Sequence, residues 1–253
     1  MLKRFIVILL FASVSVTALL CVERKEIRIE EEEEIVEEVV LSEYDDIMKA
    51  VEEESGIDWR LLSAIAYAES RFSSDLVSKR GAVGVMQVMP SIGRYFGFSA
   101  EELPEPQNNI RAAAFLLCDI ESAIRLPHEM PSRDRLAILL ACYNGGIGHV
   151  SDARRLARAF GEDANSWETV SRYLRLKSDP QYYENEVVKS GRFKSGRGTT
   201  AYVRDVLKRY DHYCKLTGRP ANKPAENQAG EHYSDETLPI VVQPMEFISR
   251  YFF

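Results

Sequence analysis

Helical spacing of apolar residues constrains the fold of this chain more than any other feature. From Tyr44 to Cys214 apolar side chains recur every three or four residues, the pattern of helices that bury one face. The alternating pattern of a strand is longest at Ile240–Gln243, near the end of the chain. The sequence therefore predicts a mainly α fold. Helices are predicted at Trp59 to about Arg71, Asn109 to about Arg125, Arg133–Tyr143, Val150–Ala159, Ser166–Leu174, Pro180–Val188 and Thr200–Cys214.

Two helix ends carry recognisable signals. Asp58 directly precedes the helix that starts at Trp59, and an aspartate there caps free backbone N–H groups. The helix that starts at Arg133 runs into Asn144-Gly145-Gly146. Glycine readily adopts the left-handed conformation that closes a helix, so a glycine C-cap is expected at that end.

The charge of the chain is unevenly distributed. The formal net charge is −7 over 253 residues, a length that fits one domain with tails. Residues 22 to 55 hold fifteen acidic and four basic residues, including the unbroken acidic run Glu30–Glu34. Because like charges repel, residues 22–42 are predicted to be a solvated acidic tether. The predicted domain is 43–216, and 217–253 is predicted to be an extended tail.

The N-terminus has the composition of an export signal. Lys3 and Arg4 precede the uncharged run Phe5–Leu20, which is short for a membrane-spanning helix and suits a signal sequence. Val16–Ala18 resembles a cleavage site, whereas Cys21 is placed like the lipid acceptor of a bacterial lipoprotein, although Leu20 is larger than the usual preceding residue. Residues 1–21 are thus a signal peptide, a lipoprotein signal or an uncleaved anchor. Each predicts a protein on the periplasmic side of a bacterial envelope.

The cysteines and histidines predict no metal site. Cys118, Cys142 and Cys214 show no CxxC spacing, and only four histidines are scattered along the chain, so neither metal nor other cofactor is expected. Cys118 and Cys142 lie in apolar helical patterns and are predicted to be buried free thiols. Nucleic acid is not an expected partner, because the chain is acidic overall and contains no recognised nucleic-acid module.

Catalytic chemistry is suggested by the run from Glu69 to Pro90. Glu69 ends an apolar stripe that includes Leu62 and Ile65, so its carboxylate should be partly desolvated, which favours the neutral acid. Asp75 is the only other acid nearby and is interpreted as a solvated loop residue. Glycosidases ordinarily use two carboxylates. A single carboxyl suffices when the sugar supplies its own nucleophile, because that carboxyl can first donate and then accept a proton.

The same run carries a family resemblance. Glu69-Ser70, a loop with Gly81 and Gly84, and the segment GVMQVMP ending at Pro90 resemble the core of the soluble lytic transglycosylase (SLT) family. Further resemblances lie at Asn109-Ile110, at Tyr143-Asn144-Gly145 and at Ala201-Tyr202-Val203. Ala113 and Leu116 stand where this family usually has glycine and tyrosine, and Cys142 where a different small or apolar residue is usual.

The resemblance implies a lysozyme-like helical domain that cleaves peptidoglycan without water. Glu69 would be the only general acid and base, acting between N-acetylmuramic acid and N-acetylglucosamine and leaving a 1,6-anhydromuramyl end. Ser78, Gln87 and Met89 would line the glycan groove, and Tyr143 and Asn144 would order the corner around Glu69. Tyr202 would either pack beneath the site or contact substrate. A lysozyme-type muramidase and a non-catalytic peptidoglycan-binding protein are the alternatives.

A group of basic residues follows the predicted catalytic region. One interpretation is a rim that attracts the carboxylates of peptidoglycan stem peptides, and the other is a solvated helix face. The group comprises Lys189, Arg192, Lys194, Arg197, Arg204, Lys208 and Arg209.

Overall fold

A computed structural model describes residues 39–219 of the chain. Residues 1–21, the tether up to residue 38, the tail from residue 220 and the strand-like run Ile240–Gln243 lie outside this part. Most residues between 39 and 219 are helical, and the β structure among them is limited to two isolated bridges, Val77 with Val83 and Val83 with Val88, which confirms the mainly α prediction. The helices are α1 (Asp45–Ser55), α2 (Trp59–Ser70), α3 (Pro90–Tyr95), α4 (Pro106–Ile124), α5 (Ser132–Gly145), α6 (Ile147–Ala159), α7 (Trp167–Leu176), α8 (Pro180–Tyr183) and α9 (Gly196–Leu216).

Helix α5 contributes the most continuous stretch of the core. Residues 137–142 are all buried, and Ile138 and Leu140 are fully inaccessible to solvent. Helix α5 packs against α4, α6, α7 and α9, while α9 also packs along α2. The apolar face of α2, including Leu62 and Ile65, is buried as its spacing predicted. Helices α2, α5 and α9 therefore form the framework that holds the residues singled out from the sequence.

Polar contacts along α2 and α9 fix how these two helices pair. Asp58 caps α2 as predicted by accepting a hydrogen bond from the Arg60 N–H at 2.9 Å. Its other carboxylate oxygen accepts one from the Tyr210 hydroxyl at 3.0 Å, and Arg60 Nε donates to Thr217 Oγ1 at 2.6 Å. The start of α2 thus lies beside the end of α9. Because the helices run antiparallel, the start of α9 reaches the end of α2.

Some predicted helix boundaries are wrong. Helix α8 ends at Tyr183 and not at Val188, because the following chain turns so that the N–H groups of Lys189 and Ser190 donate to Asp152, at 2.8 and 2.9 Å. Helix α9 begins four residues before Thr200. Gly146 has φ 90° and ψ 137°, so the positive φ expected after α5 is present but the left-handed helical cap is not.

Among residues 39–219, no helix combines the length and the apolar character that crossing a membrane requires.

Candidate active site

Glu69 lies in the last turn of α2, where the helix meets the following loop. The Ser70 hydroxyl donates to the Val85 carbonyl at 2.7 Å and so fastens the helix end to the loop. The helix closes at Arg71, which has φ 55° and ψ 40°, and Phe72 also has a positive φ of 67°. Consecutive left-handed residues other than glycine are uncommon. They turn the chain sharply away from α2 directly after Glu69.

Asn109, at the start of α4, holds the glycine loop in place. Its side-chain oxygen accepts from the Met86 N–H at 2.7 Å, and its amide nitrogen donates to the Val83 and Leu103 carbonyls, each at 3.0 Å. Gly84 has φ 77°, and a Cβ there would lie 2.7 Å from the Asn109 side chain. Glycine is therefore required at this close approach. Sequence reasoning identified Asn109 only as part of a motif, and its role in holding the loop is visible in the structure.

The three predicted groove residues Ser78, Gln87 and Met89 all lie in or next to this loop. Ser78 Oγ accepts from the Ala82 N–H at 2.9 Å and closes a turn. Gln87 Nε2 donates to the Leu76 and Gly84 carbonyls at 2.9 and 3.0 Å, so its amide nitrogen is occupied within the loop. The Met89 side chain is exposed, whereas Met86 is fully buried and fills the core as a packing methionine would.

Burial raises the pKa of Glu69 to about 7, and the nearby Tyr202 hydroxyl partly opposes this rise. The Tyr202 hydroxyl is buried and has no hydrogen bond of good geometry with any of residues 39–219. It nevertheless lies near enough to the carboxyl group for each to affect the other's pKa. A carboxyl group with a pKa of about 7 is partly protonated at neutral pH, which suits it to donate and accept a proton.

Tyr143 arrives beside Glu69 from the end of α5. Its hydroxyl donates to the Met86 carbonyl at 2.8 Å, which links α5 to the glycine loop. Burial and the neighbouring Glu69 carboxylate raise the pKa of Tyr143 well above its usual value, and burial and Glu69 act in the same way on Tyr202. The structure thus brings together Glu69, Tyr143 and Tyr202, three residues from helices α2, α5 and α9.

Asn144 is exposed and faces the start of α9. Its side-chain oxygen accepts from the Thr199 hydroxyl at 2.9 Å, and Thr199 itself is buried. A Cβ on Gly145 would lie 3.0 Å from both Thr199 and Phe193, so this glycine permits close packing. The sequence offered no signal for Thr199, because a threonine in the first turn of a helix is common.

Behind this corner lies a buried ionic cluster that was also not predicted. Asp152 and Lys177 are both 0% exposed, and Lys177 donates to the Asp152 carboxylate, which also accepts from Arg155. His149 contacts the Lys177 ammonium at 3.0 Å and stacks on Phe193 with ring centroids 4.3 Å apart. Burial and the Lys177 charge lower the pKa of His149 to about 4. The cluster anchors the segment that leads into α9.

The described cysteines are free thiols. Cys142 is buried as predicted, whereas Cys118 is only partly buried, since its sulfur lies at the edge of α4, 3.5 Å from the Ser55 carbonyl. Over residues 39–219, no three histidine, cysteine, aspartate or glutamate side chains are grouped as metal ligands.

Comparison with known proteins agrees with the motifs that the sequence contains. Residues 46–166 match the family model described as Transglycosylase SLT domain. Residues 46–166 are therefore similar to the SLT domain family. Its sequence is similar to membrane-bound lytic murein transglycosylase F of Alcanivorax borkumensis, with 36% identity over 168 residues, and to the protein of the same name from Marinobacter nauticus, with 33% identity over 179 residues.

These alignments cover 66% and 70% of this chain but only 34% of each relative. The chain thus spans about a third of the length of the curated relatives it matches. Among solved structures, an inactive mutant of the lytic transglycosylase Slt from Pseudomonas aeruginosa is 22% identical with a TM-score of 0.47, covering 76% of this chain and 27% of that one.

Proposed function

We propose that this protein is a peptidoglycan lytic transglycosylase and that residues 43–216 are its catalytic unit. The observation that carries the proposal is the state of the Glu69 carboxyl group. Burial raises its pKa to about 7, although a nearby tyrosine hydroxyl partly opposes this rise. A group of this kind can give a proton and take one back at the same pH. The match of residues 46–166 to the family model described as Transglycosylase SLT domain supports a transglycosylase reaction at this group.

In the proposed reaction Glu69 acts twice. Its carboxyl proton passes to the oxygen that joins N-acetylmuramic acid to N-acetylglucosamine as the bond from that oxygen to C1 breaks. The carboxylate then takes the proton of the muramyl 6-hydroxyl while O6 bonds to C1. Glu69 ends protonated as it began, no water is consumed, and the product carries a 1,6-anhydromuramyl end.

Tyr143 and Tyr202 are proposed to position the Glu69 carboxyl group and to interact with it in both of its protonation states. Both hydroxyls lie near the carboxyl group and respond to its charge. Since Tyr143 donates its proton to the Met86 carbonyl, its oxygen presents lone pairs, whereas the unpaired Tyr202 hydroxyl is available as a donor to the carboxylate once Glu69 has given up its proton. Asn144 keeps the corner between α5 and α9 in register through Thr199.

Ser78, Gln87 and Met89 are proposed to contact the glycan. Because the Gln87 nitrogen is occupied by loop carbonyls, its amide oxygen is the group available to accept from a sugar hydroxyl or acetamido N–H. The exposed Met89 thioether offers an apolar, polarisable surface for the face of a sugar ring.

Mass spectrometry of digested sacculi tests the reaction. Purified peptidoglycan incubated with the protein should release muropeptides with anhydro ends, each lighter by one water than the corresponding reducing product. Reducing muramyl ends would indicate the lysozyme-type muramidase. Tight binding to sacculi with no released fragments would indicate a non-catalytic peptidoglycan-binding protein.

We further propose that the protein acts on the periplasmic side of the envelope and is held near a membrane by residues 1–21, through either an anchor or a lipid on Cys21. The names of the similar proteins describe them as membrane-bound. Intact-mass measurement of the membrane fraction distinguishes these cases, because a diacylglycerol adduct on Cys21 is required by the lipoprotein form alone.

A further inference from the structure

A cluster of two arginines and a tyrosine lies where α9 crosses the end of α2. The Arg209 guanidinium stacks on the Tyr67 ring with its central carbon 3.4 Å from the ring centroid. Arg71 donates to the Tyr67 hydroxyl at 3.0 Å, and its own guanidinium carbon lies 5.3 Å from the same centroid. We call these residues, Tyr67, Arg71 and Arg209, the arginine–tyrosine cluster. It places two positive charges on one ring.

The two guanidinium groups are held rigidly. Arg209 is also 5.8 Å from the Tyr213 ring, so it lies between two aromatic side chains. The Arg71 side chain is exposed and is oriented by its hydrogen bond to Tyr67. Arginine side chains that are stacked in this way lose less conformational freedom when they bind an anion.

Neither arginine has an acidic partner in the described part of the chain. The ion pairs of this region use other cations, since Asp205 pairs with Arg204 and Asp211 with Arg133. Arg209 also lines a depression of about 560 Å³ together with Lys208, His212 and Lys215 and with the carboxylates of Asp205 and Asp211, which pair with other arginines. Within residues 39–219 the two cations of the cluster therefore lack a carboxylate of their own and repel each other, so a bound anion would stabilise the cluster.

The cluster is close to the proposed catalytic residue in sequence and in space. Tyr67 precedes Glu69 by two residues and Arg71 follows it by two. Arg209 follows Tyr202 by seven residues, which places both on one face of α9 about 10 Å apart at the usual helical rise. The cluster is therefore within reach of an anionic group on a substrate that is bound at Glu69.

We propose that the arginine–tyrosine cluster binds a carboxylate of the peptide stems attached to the glycan. This inference rests on the function proposed above and deepens it, since it makes stem-bearing glycan the preferred substrate over bare glycan strands. Carboxylates suit the site because guanidinium groups bind them through paired, charge-assisted hydrogen bonds. Of the basic residues noted in the sequence, Arg209 is the one stacked on a ring beside α2, whereas Arg204 is already paired with Asp205.

The test compares the wild-type protein with the double variant Arg71→Gln/Arg209→Gln on two substrates, glycan strands that keep their stems and strands stripped by an amidase. On stem-bearing strands KM should rise about tenfold, which is about 1.4 kcal/mol, with little change in kcat. On stripped strands both constants should stay at the wild-type values. Arg158→Gln, which removes an exposed charge from α6, is the matched control and should change neither substrate.

Added salt provides a second readout, because it screens the charges of the cluster. It should reduce the difference in KM between stem-bearing and stripped strands for the wild type only. Equal losses on both substrates, or no change on either, would overturn the inference while leaving the transglycosylase reaction intact. If the wild type releases no anhydro product from either substrate, the proposed function fails instead. NMR titration of the Glu69→Gln protein with a soluble stem peptide then tests the cluster without turnover, and shifts that persist unchanged in the arginine double variant would refute it.

Discussion

The carboxyl groups of the half-buried Glu69 and the fully buried Asp152 have pKa values that are shifted in opposite directions. Burial raises the pKa of Glu69 to about 7, and only partial compensation comes from Tyr202. Burial would also raise the pKa of Asp152, but the hydrogen bonds from Lys177 and from the Lys189 and Ser190 N–H groups outweigh it and lower the pKa. Burial opposes the charged form at both positions, and the hydrogen-bond donors together with the Lys177 charge outweigh it only at Asp152.

The comparison separates a reactive carboxyl from a structural one. Asp152 is held in its charged form by its donors and joins α6 to the end of α7 and to the segment before α9. Glu69 lies in the last turn of an apolar helix, where Tyr202 only partly offsets the cost of burying its charge. A proton can leave and return there at neutral pH, whereas removing the charge of Asp152 would disrupt its surroundings.

The largest expected effect is the loss of turnover in Glu69→Gln. The amide keeps the shape of the side chain but cannot exchange the proton, so the release of anhydro muropeptides should fall by about a thousandfold or more. Asp75→Asn is the matched control, because Asp75 is exposed and lies six residues further on. A Glu69→Gln protein that cleaves at the parental rate would show that Glu69 is not the acid.

Asp152→Ala should produce the largest loss of stability. It leaves the fully buried Lys177 ammonium without its carboxylate, and breaking a buried ion pair in this way costs about 3–5 kcal/mol. Urea unfolding followed by circular dichroism measures this free energy. Asp205→Ala removes an exposed carboxylate that also pairs with an arginine, and it should change stability by no more than about 0.5 kcal/mol. Similar values for both variants would mean that the cluster contributes no more than a surface pair.

The sequence predicted the helical fold and the residues around Glu69 for different reasons. Apolar spacing on α2 was enough to predict the burial of Leu62 and Ile65, because a helix has one fixed period. The convergence of Tyr143 and Tyr202 on Glu69 depends on how α5 and α9 pack on α2, and local spacing carries no such information. This convergence was predicted from the family motifs alone, because those motifs include residues that are distant in the chain.

Other features had no signal of either kind. Lys177 follows an ordinary amphipathic helix and is charged, so its complete burial could not be expected from the sequence. Asp152 draws the chain after Tyr183 away from a helix, and this long-range contact explains why the predicted end of α8 at Val188 was wrong. Arg209 was grouped with six other basic residues, and only its stacking on Tyr67 distinguishes it.

Glu69→Gln should also make the protein more stable at neutral pH. The pKa of Glu69 is higher in the folded protein than the usual 4.5, so the folded state holds more protons and its stability falls as pH rises from about 4.5 to about 7. Above pH 7 the charged carboxylate costs at most about 3.4 kcal/mol, which the neutral amide avoids. Urea unfolding at pH 4 and pH 8 should show a gain at pH 8 alone, whereas an equal gain at both values would exclude the carboxylate charge as its source.

The smallest effect is expected from Tyr202→Phe. The Tyr202 hydroxyl lowers the pKa of Glu69. Its removal should therefore raise that pKa further, because nothing from Tyr202 then offsets the rise caused by burial. Because the proposed acid must be protonated, kcat/KM of the wild type should fall as pH rises through about 7, and this alkaline limb should move to higher pH in the variant. Tyr210→Phe removes a hydroxyl from the same helix that bonds to Asp58 and should leave the limb in place. A limb that moves to lower pH in Tyr202→Phe would mean that the hydroxyl stabilises the neutral acid, so that Glu69 would differ from Asp152 in the kind of donor it meets as well as in their number.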